Sequence, residues 1–115
     1  MTAQEVRIGN YYDQFGNIHQ ANWVTIKELS KAPEGQLWCK PIPLTEDWLK
    51  RFGFERLIGW LDVWRKDGFD RFELTEIHDE YFFNDTKIEF VHQLQNAFFC
   101  IEQTELTPSD GGKIE

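Results

Sequence analysis

Two periodicities meet in the stretch from Lys87 to Ile101. Ile88 and Phe90 alternate with Lys87 and Glu89, the period of two expected of a half-buried strand. Val91, Leu94, Phe98 and Ile101 then recur at steps of three and four, which is one face of a helix. The pattern predicts a strand running directly into an amphipathic helix over about residues 91–102. Such a helix gives the other elements a surface to pack against.

Upstream, Val6 to Tyr12 reads as a first strand with Val6 and Ile8 on one face, and Asp13 to Asn17 as a turn around Gly16-Asn17. Ile18 to Ile26 alternates and is expected to pair back as a hairpin. Leu29 to Gly35 is a polar loop by composition, and Leu37 to Lys40 a short third strand. Pro41 and Pro43 then hold the chain extended before a short central helix, about residues 45–53, whose ends are both specified. Thr45 is the N-cap, Glu46 and Asp47 put negative charge on the positive end of the dipole, and Leu44 and Leu49 stand where a hydrophobic staple forms. Trp48, Leu49 and Phe52 supply the buried face. Gly53 is placed to leave the helix through a left-handed conformation.

Residues 55–65 fit two periods. Ile58, Trp60 and Trp64 sit at even spacing, whereas Leu57, Leu61 and Trp64 suit a helix. The strand is preferred because Lys66-Asp67-Gly68 follows at once, and Asp-Gly is a strong hairpin signal. Phe69 to Ile77 is the return strand, with Phe72 and Leu74 on one face. A turn at Asn84-Asp85 separates Tyr81-Phe82-Phe83 from Thr86 to Phe90. Together these elements predict an α+β fold: one mostly antiparallel sheet of about six strands, the central helix and the longer C-terminal helix. Residues 1–106 form the single domain, and 107–115, with Pro108 and Gly111-Gly112, a flexible tail.

Composition narrows the classes of function. At 115 residues, with 41% hydrophobic residues, ten Phe and five Trp, the chain buries a core without staples. It has no apolar run near the roughly 18–20 residues of a membrane helix, and Met1 to Glu5 lacks the features of a secretion signal, so a cytoplasmic protein is expected. Cys39 and Cys100 have no metal-type spacing and read as reduced packing residues. A formal net charge of −8 opposes phosphate binding, and the small basic sets Lys50/Arg51/Arg56 and Arg65/Lys66 have acids beside them. A basic partner, or competition for a nucleic-acid groove, suits the charge better. Solubility alone is the plainer explanation.

Catalytic or metal chemistry is not expected. His78-Asp79-Glu80 is the one tight cluster, but neighbours on a strand point to opposite faces, so a solvated turn explains it more simply than a metal site. Cys100 lies eight residues from His92, about 12 Å along a helix axis, too far for a nucleophile and its base. No GxSxG or glycine-rich phosphate loop is present, and the carboxylates Glu73 and Glu76 are unremarkable in an acidic chain. The chain therefore reads as no enzyme and as needing no cofactor. His92, Gln93, Gln95 and Asn96 crowd the first turns of the C-terminal helix, either as a recognition surface or, more simply, to satisfy backbone groups and tie the helix down. Trp60, Trp64 and Phe99 exceed what one core face accommodates. With Glu73, Glu76, Asp79 and Glu80 they form the candidate partner-binding set, an aromatic patch with an acidic rim.

Three motifs occur in order: Arg7-Ile8-Gly9-Asn10-Tyr11, then Pro41 through Glu55, then Phe90-Val91-His92-Gln93-Leu94-Gln95-Asn96. In these the chain resembles a family of small proteins carried by phages and prophages of Bacteroidota bacteria, over nearly its whole length. Gly9, Asn10, Pro43, Thr45, Trp48, Gly53, His92, Gln93 and Asn96 are its motif positions here, read as structural. The family usually continues through a Thr-Gly before a Glu-Leu; Gln103-Thr104-Glu105-Leu106 lacks that glycine, so the helix end is expected to differ. The resemblance implies no catalytic residue. It implies an accessory protein of a mobile element, acting in the cytoplasm of the bacterial host. The leading expectation is a protein-binding antagonist of host defence, of the anti-CRISPR kind, whose partner is a CRISPR effector or its guide-RNA complex. The alternatives are a structural or replication accessory acting by self-association and a protein that sequesters a small ligand.

Overall fold

The computed structural model describes residues 1, 4–31 and 38–108, the side chain of Asp70 excepted. Its elements are β1 (Tyr11–Gln14), β2 (Asn17–Gln20), α1 (Trp23–Leu29), α2 (Glu46–Arg51), β3 (Phe54–Leu57), β4 (Asp62–Lys66), β5 (Phe69–Ile77), β6 (Glu80–Phe83), β7 (Thr86–Ile88) and α3 (Val91–Glu102). β3 to β7 form an antiparallel meander in sequence order, and β1–β2 a separate two-stranded hairpin. The chain thus adopts the α+β fold expected, with α3 where the change of period puts it.

Four elements differ from their sequence reading. The first strand is not 6–12 but Tyr11–Gln14; Val6 is buried while Ile8 is exposed, so this stretch does not alternate. The return strand stops at Gln20, and α1 replaces its second half. There Asn22 Oδ1 accepts from the amides of Val24 and Thr25, while Thr25 Oγ1 accepts from the Asn22 amide. That reciprocal cap starts a helix that β-branched residues alone disfavour. In the proposed third strand, Leu37 lies outside the described residues and Lys40 makes only an isolated bridge to Asp13. The single strand over 55–65 is in fact β3, a turn at residues 58–61 and β4. At the C-terminus, Leu106 and Pro108 remain buried, so packing extends past the predicted domain end; 109–115 lie outside the described residues.

α2 is built as its sequence specifies. The Trp48 amide donates to Thr45 Oγ1 at 3.4 Å, and Leu44 and Leu49 are both buried. Before it, residues 42–44 run beside 89–91: the Leu44 amide donates to the Glu89 carbonyl at 2.9 Å and the Val91 amide to the Ile42 carbonyl at 2.8 Å.

The main core lies between α3 and one face of the five-stranded sheet. Val91, Leu94 and Phe98 meet Phe54, Trp64, Phe72, Leu74, Tyr81 and Ile88 there. Phe98 is its hub, with Phe69, Phe72 and Phe54 edge-on to it at 5.0, 5.4 and 6.1 Å between ring centroids. β5 carries an irregularity after its hairpin with β4, since Lys66 pairs with Phe69 but Arg65 with Glu73. Glu102 at the end of α3 fastens this segment by accepting from the Arg71 amide. A smaller core of Val6, Tyr12, Ala21, Leu29 and Cys39 lies under α1.

The polar residues of α3 join the two layers. Gln95, fully buried, accepts from the Tyr11 amide at 2.8 Å and donates to the Gly9 carbonyl at 3.0 Å. Asn96 Oδ1 accepts from Arg7 Nε and Asn10 Nδ2. Arg7 also forms a bidentate pair with Glu105 at 2.6 and 2.9 Å and lies 4.4 Å above the Phe99 ring centroid. Gln93 Oε1 instead turns back to accept from the amides of Glu89 and Phe90 at the start of the helix.

Two predictions follow from the backbone and this joint. Gly53 sits at φ 88°, with Lys66 Nζ 2.6 Å from where a Cβ would stand. Gln103 takes φ 57° with a side chain that disfavours it. Gly53→Ala should cost about 1–2 kcal/mol, whereas Gln103→Gly should gain up to about 1 kcal/mol, read as opposite shifts of the urea midpoint at unchanged slope. Gln95→Met, which keeps the length but not the hydrogen bonds, should cost about 1–3 kcal/mol by removing the acceptor of the buried Tyr11 amide and one of the two donors to the Gly9 carbonyl, the other being Gln20 Nε2. A loss within about 0.5 kcal/mol would mean that the joint does not hold the layers.

Candidate functional site

The turn between β3 and β4 carries the most exposed apolar side chains of the described residues. Leu57, Ile58, Gly59, Trp60 and Leu61 follow one another without a polar residue. Ile58 is 84% and Trp60 100% exposed, with Leu57 and Leu61 about half so. Antiparallel order places this tip at the same end of the sheet as the β5–β6 turn, where Ile77 is also exposed and His78 and Asp79 both adopt positive φ.

The root of the tip is braced across three strands. Arg56 Nη2 of β3 reaches Asp62 Oδ2 of β4 at 2.5 Å and Glu76 Oε2 of β5 at 3.4 Å. Asp62 and Glu76 are direct register partners. Glu76 Oε1 also accepts from the indole Nε1 of Trp64 at 2.8 Å. The apolar turn therefore stands on a hydrogen-bonded base.

The structure divides the predicted partner-binding set. Trp60 is at the surface. Trp64 is not: it is 1% exposed and packs in the main core, because its strand position shares the face of Leu74. Phe99 is also misassigned to a surface patch, since it is half-buried beneath Arg7. Glu76 is turned inward to Trp64 and Arg56. Glu73 pairs with Arg65 and Glu80 with Lys87 on the sheet face opposite α3. Asp79 is exposed in the β5–β6 turn. Sequence reasoning missed the rest of the tip, Leu57, Ile58 and Leu61; the available signal was Gly59 inside an unbroken apolar run, which marks a turn. It also missed Phe15 and Trp23, exposed at the β1–β2 turn and the start of α1.

Of the motif positions, Asn10, Gln93 and Asn96 serve the hydrogen bonds already described, Pro43 bridges Phe90, and Trp48 packs on Tyr11 and Phe52. His92 stands apart. It is buried, stacks on Phe90 at 5.9 Å, and neither ring nitrogen has a hydrogen-bond partner among the described residues. Glu5 lies 3.9 Å from its Nε2, and the Met1 amino group 3.7 Å from Glu5. A cleft of about 340 Å³ lined by Glu5, Lys87, His92, Gln93 and Asn96 adjoins it.

Elsewhere, a wider cleft of about 570 Å³ runs between Tyr12, Trp38, Val24 and Glu28, the last paired with Lys31 at 3.1 Å. Both cysteines are free thiols, Cys39 buried and Cys100 exposed, and burial pushes the Cys39 thiol up. Among the described residues no group of three His, Cys, Asp or Glu is placed to hold a metal, and no helix is long and apolar enough to cross a membrane. Comparison of the chain with family models, curated proteins and solved structures finds no match.

His92 makes stability pH-dependent. Burial holds its imidazole below the ordinary 6.5, an effect that nearby Glu5 partly opposes. As pH falls below 6.5 the unfolded chain takes the proton first, so stability declines from there towards the lower folded-state value and the contribution levels off beneath it. Urea midpoints measured between about pH 7.5 and about pH 5.5 should fall in the wild type and fall less in His92→Phe, which keeps the ring stack. Equal pH dependence in the two proteins would show that His92 is not the titrating group.

Proposed function

We propose that the protein acts without catalysis, by binding a partner protein through the apolar tip at residues 57–61. The carrying observation is Trp60, wholly exposed between two exposed aliphatic residues on a braced turn. Leaving such a run in water is unfavourable by about 25 cal/mol for each Å² of apolar surface, a cost that burial against a partner recovers. Trp is also the side chain most enriched among residues that dominate binding energy.

The finer reading joins this surface to the phage resemblance and the charge of −8. In it the protein is a phage-encoded antagonist in the host cytoplasm, and its target a defence machine with a basic groove for guide and target nucleic acid, a CRISPR effector foremost. An acidic body held at the mouth of such a groove competes electrostatically with the phosphate backbone. Direct binding of nucleic acid has no part in it.

Affinity capture by the tagged protein from a Bacteroidota lysate, with and without RNase, tests the reading. The expected outcome is a stoichiometric RNA-guided effector in the eluate and reduced target cleavage when the purified protein is added. Return of the bait alone, as an oligomer, would replace the antagonist with a self-associating phage component. Reversing Asp79 and Glu80, which lie outside the brace, should weaken inhibition by about tenfold with folding intact; unchanged inhibition would remove groove competition as the mechanism.

A further inference from the structure

We infer that the β3–β4 tip is a preformed plug for an apolar pocket whose rim is basic, and that Arg56 is the residue that positions it. The inference rests on the protein-binding reading and specifies the complementary surface. Three observations carry it.

The first is the shape of the exposed apolar surface. It is a turn joining two paired strands, so it projects beyond the sheet, and Ile58 and Trp60 present convex side chains rather than a flat face. A convex apolar feature is complementary to a concavity.

The second is the charge around it. Asp62 and Glu76 stand at its root on Arg56, and Asp79 and Glu80 at the neighbouring turn of the same sheet end, Glu80 paired with Lys87; four carboxylates against two cations leave this collar net acidic. Arg56 is the cation at the root, and it pairs with Asp62 and Glu76 of that collar. An apolar tip in an acidic collar suits a protein pocket flanked by Arg and Lys. The same collar repels the phosphates of an anionic bilayer and of nucleic acid, the other surfaces that exposed aromatic loops meet. It also opposes a second copy of this chain, which carries the same collar and the same net charge of −8.

The third is the brace. Arg56 ties β3 to β4 and β5, and Trp64 fixes Glu76 from inside the core. Neither Arg56 nor Glu76 is part of the apolar tip. Their effect is to hold the strands at its root, so that the backbone of the turn has less conformational freedom to lose when the plug is seated.

A photo-crosslinking residue at position 60, used in the full-length tagged protein in a Bacteroidota lysate, identifies what the tip touches. Equilibrium binding to the purified crosslinked protein follows. The expected crosslink falls in a protein pocket bordered by Lys or Arg, and binding weakens with salt. Ile58→Ser with Trp60→Ser should weaken binding about 30-fold or more, whereas Trp23→Ser, at the other exposed Trp, should leave it unchanged. Arg56→Gln should weaken it about tenfold while residues 58–61 gain fast backbone motion by NMR and the other amide signals keep their positions. Loss of the folded spectrum in Arg56→Gln moves the same measurement to Glu76→Gln, which keeps the indole hydrogen bond and weakens only the ion pair.

Retention of the captured partner by the Ile58/Trp60 variant would overturn the plug and the tip as the binding surface, while binding of a partner protein elsewhere on the molecule would stand. Tip-dependent sedimentation with phosphatidylcholine or phosphatidylglycerol vesicles, or a crosslink only to a second copy, would overturn both the plug and the reading of the tip as a surface for a partner protein. No captured protein under any condition would overturn the reading and the plug together.

Discussion

Gln95 holds the molecule in register. It is an uncharged amide, fully buried on a helix, whose oxygen and nitrogen are both spent on the backbone of the segment entering β1. The need arises upstream. Residues 6–10 are irregular, and where this segment passes under α3 the buried Tyr11 amide turns to Gln95, as does the Gly9 carbonyl, which Gln20 Nε2 also reaches from the exposed side. Buried backbone groups require partners, and an amide side chain supplies one donor and one acceptor together. A hydrophobic residue at 95 fills the space but satisfies neither group. Asn96, Arg7 and Glu105 extend the joint to the surface, where a bidentate ion pair is less costly to maintain than in the core.

This joint lets one helix serve two layers. The face with Val91, Leu94 and Phe98 packs on the five-stranded sheet, while Gln95 and Asn96 hold the β1 segment. The two faces use different physics because their partners differ: a pleated sheet offers apolar side chains, and an irregular segment offers backbone dipoles. The exit from α3 belongs to the same arrangement. Gln103 turns left-handed without a glycine, and the chain comes back to place Glu105 against Arg7 and Leu106 in the main core. The unfavourable φ at Gln103 is held in place by those contacts beyond it.

Where local and tertiary signals agreed, the fold was legible. The change of period at residue 91, the Thr45 cap, and the Asp-Gly and Asn-Asp turns each named their element. α1 was hidden because Val24, Thr25 and Ile26 look like strand, and only the Asn22–Thr25 cap argues otherwise. The tip was hidden because an unbroken apolar run looks like a buried strand, and exposure is a property of where the turn points. The aromatic surplus was visible as a number but not as a location. Trp60 and Trp64 are four residues apart, yet one is solvent and the other core, because Trp60 lies in the turn at 58–61 and Trp64 on the core face of β4. The amide cluster on α3 was legible as a tie, though its partners, some 85 residues earlier, follow only from the three-dimensional arrangement.

The acid surplus and the apolar tip are best understood together. The main core closes around Phe98 without any of Ile58, Trp60 or Leu61, so the tip adds nothing to that packing. A tip of this kind on a neutral protein invites copies to associate through it. A charge of −8 makes every encounter between copies repulsive over roughly 8–10 Å at ordinary ionic strength. It leaves encounters with a basic surface attractive over the same range. On the proposed reading, the charge selects which collisions proceed and the tip decides which of those persist. Exposure of the one is tolerable because of the other.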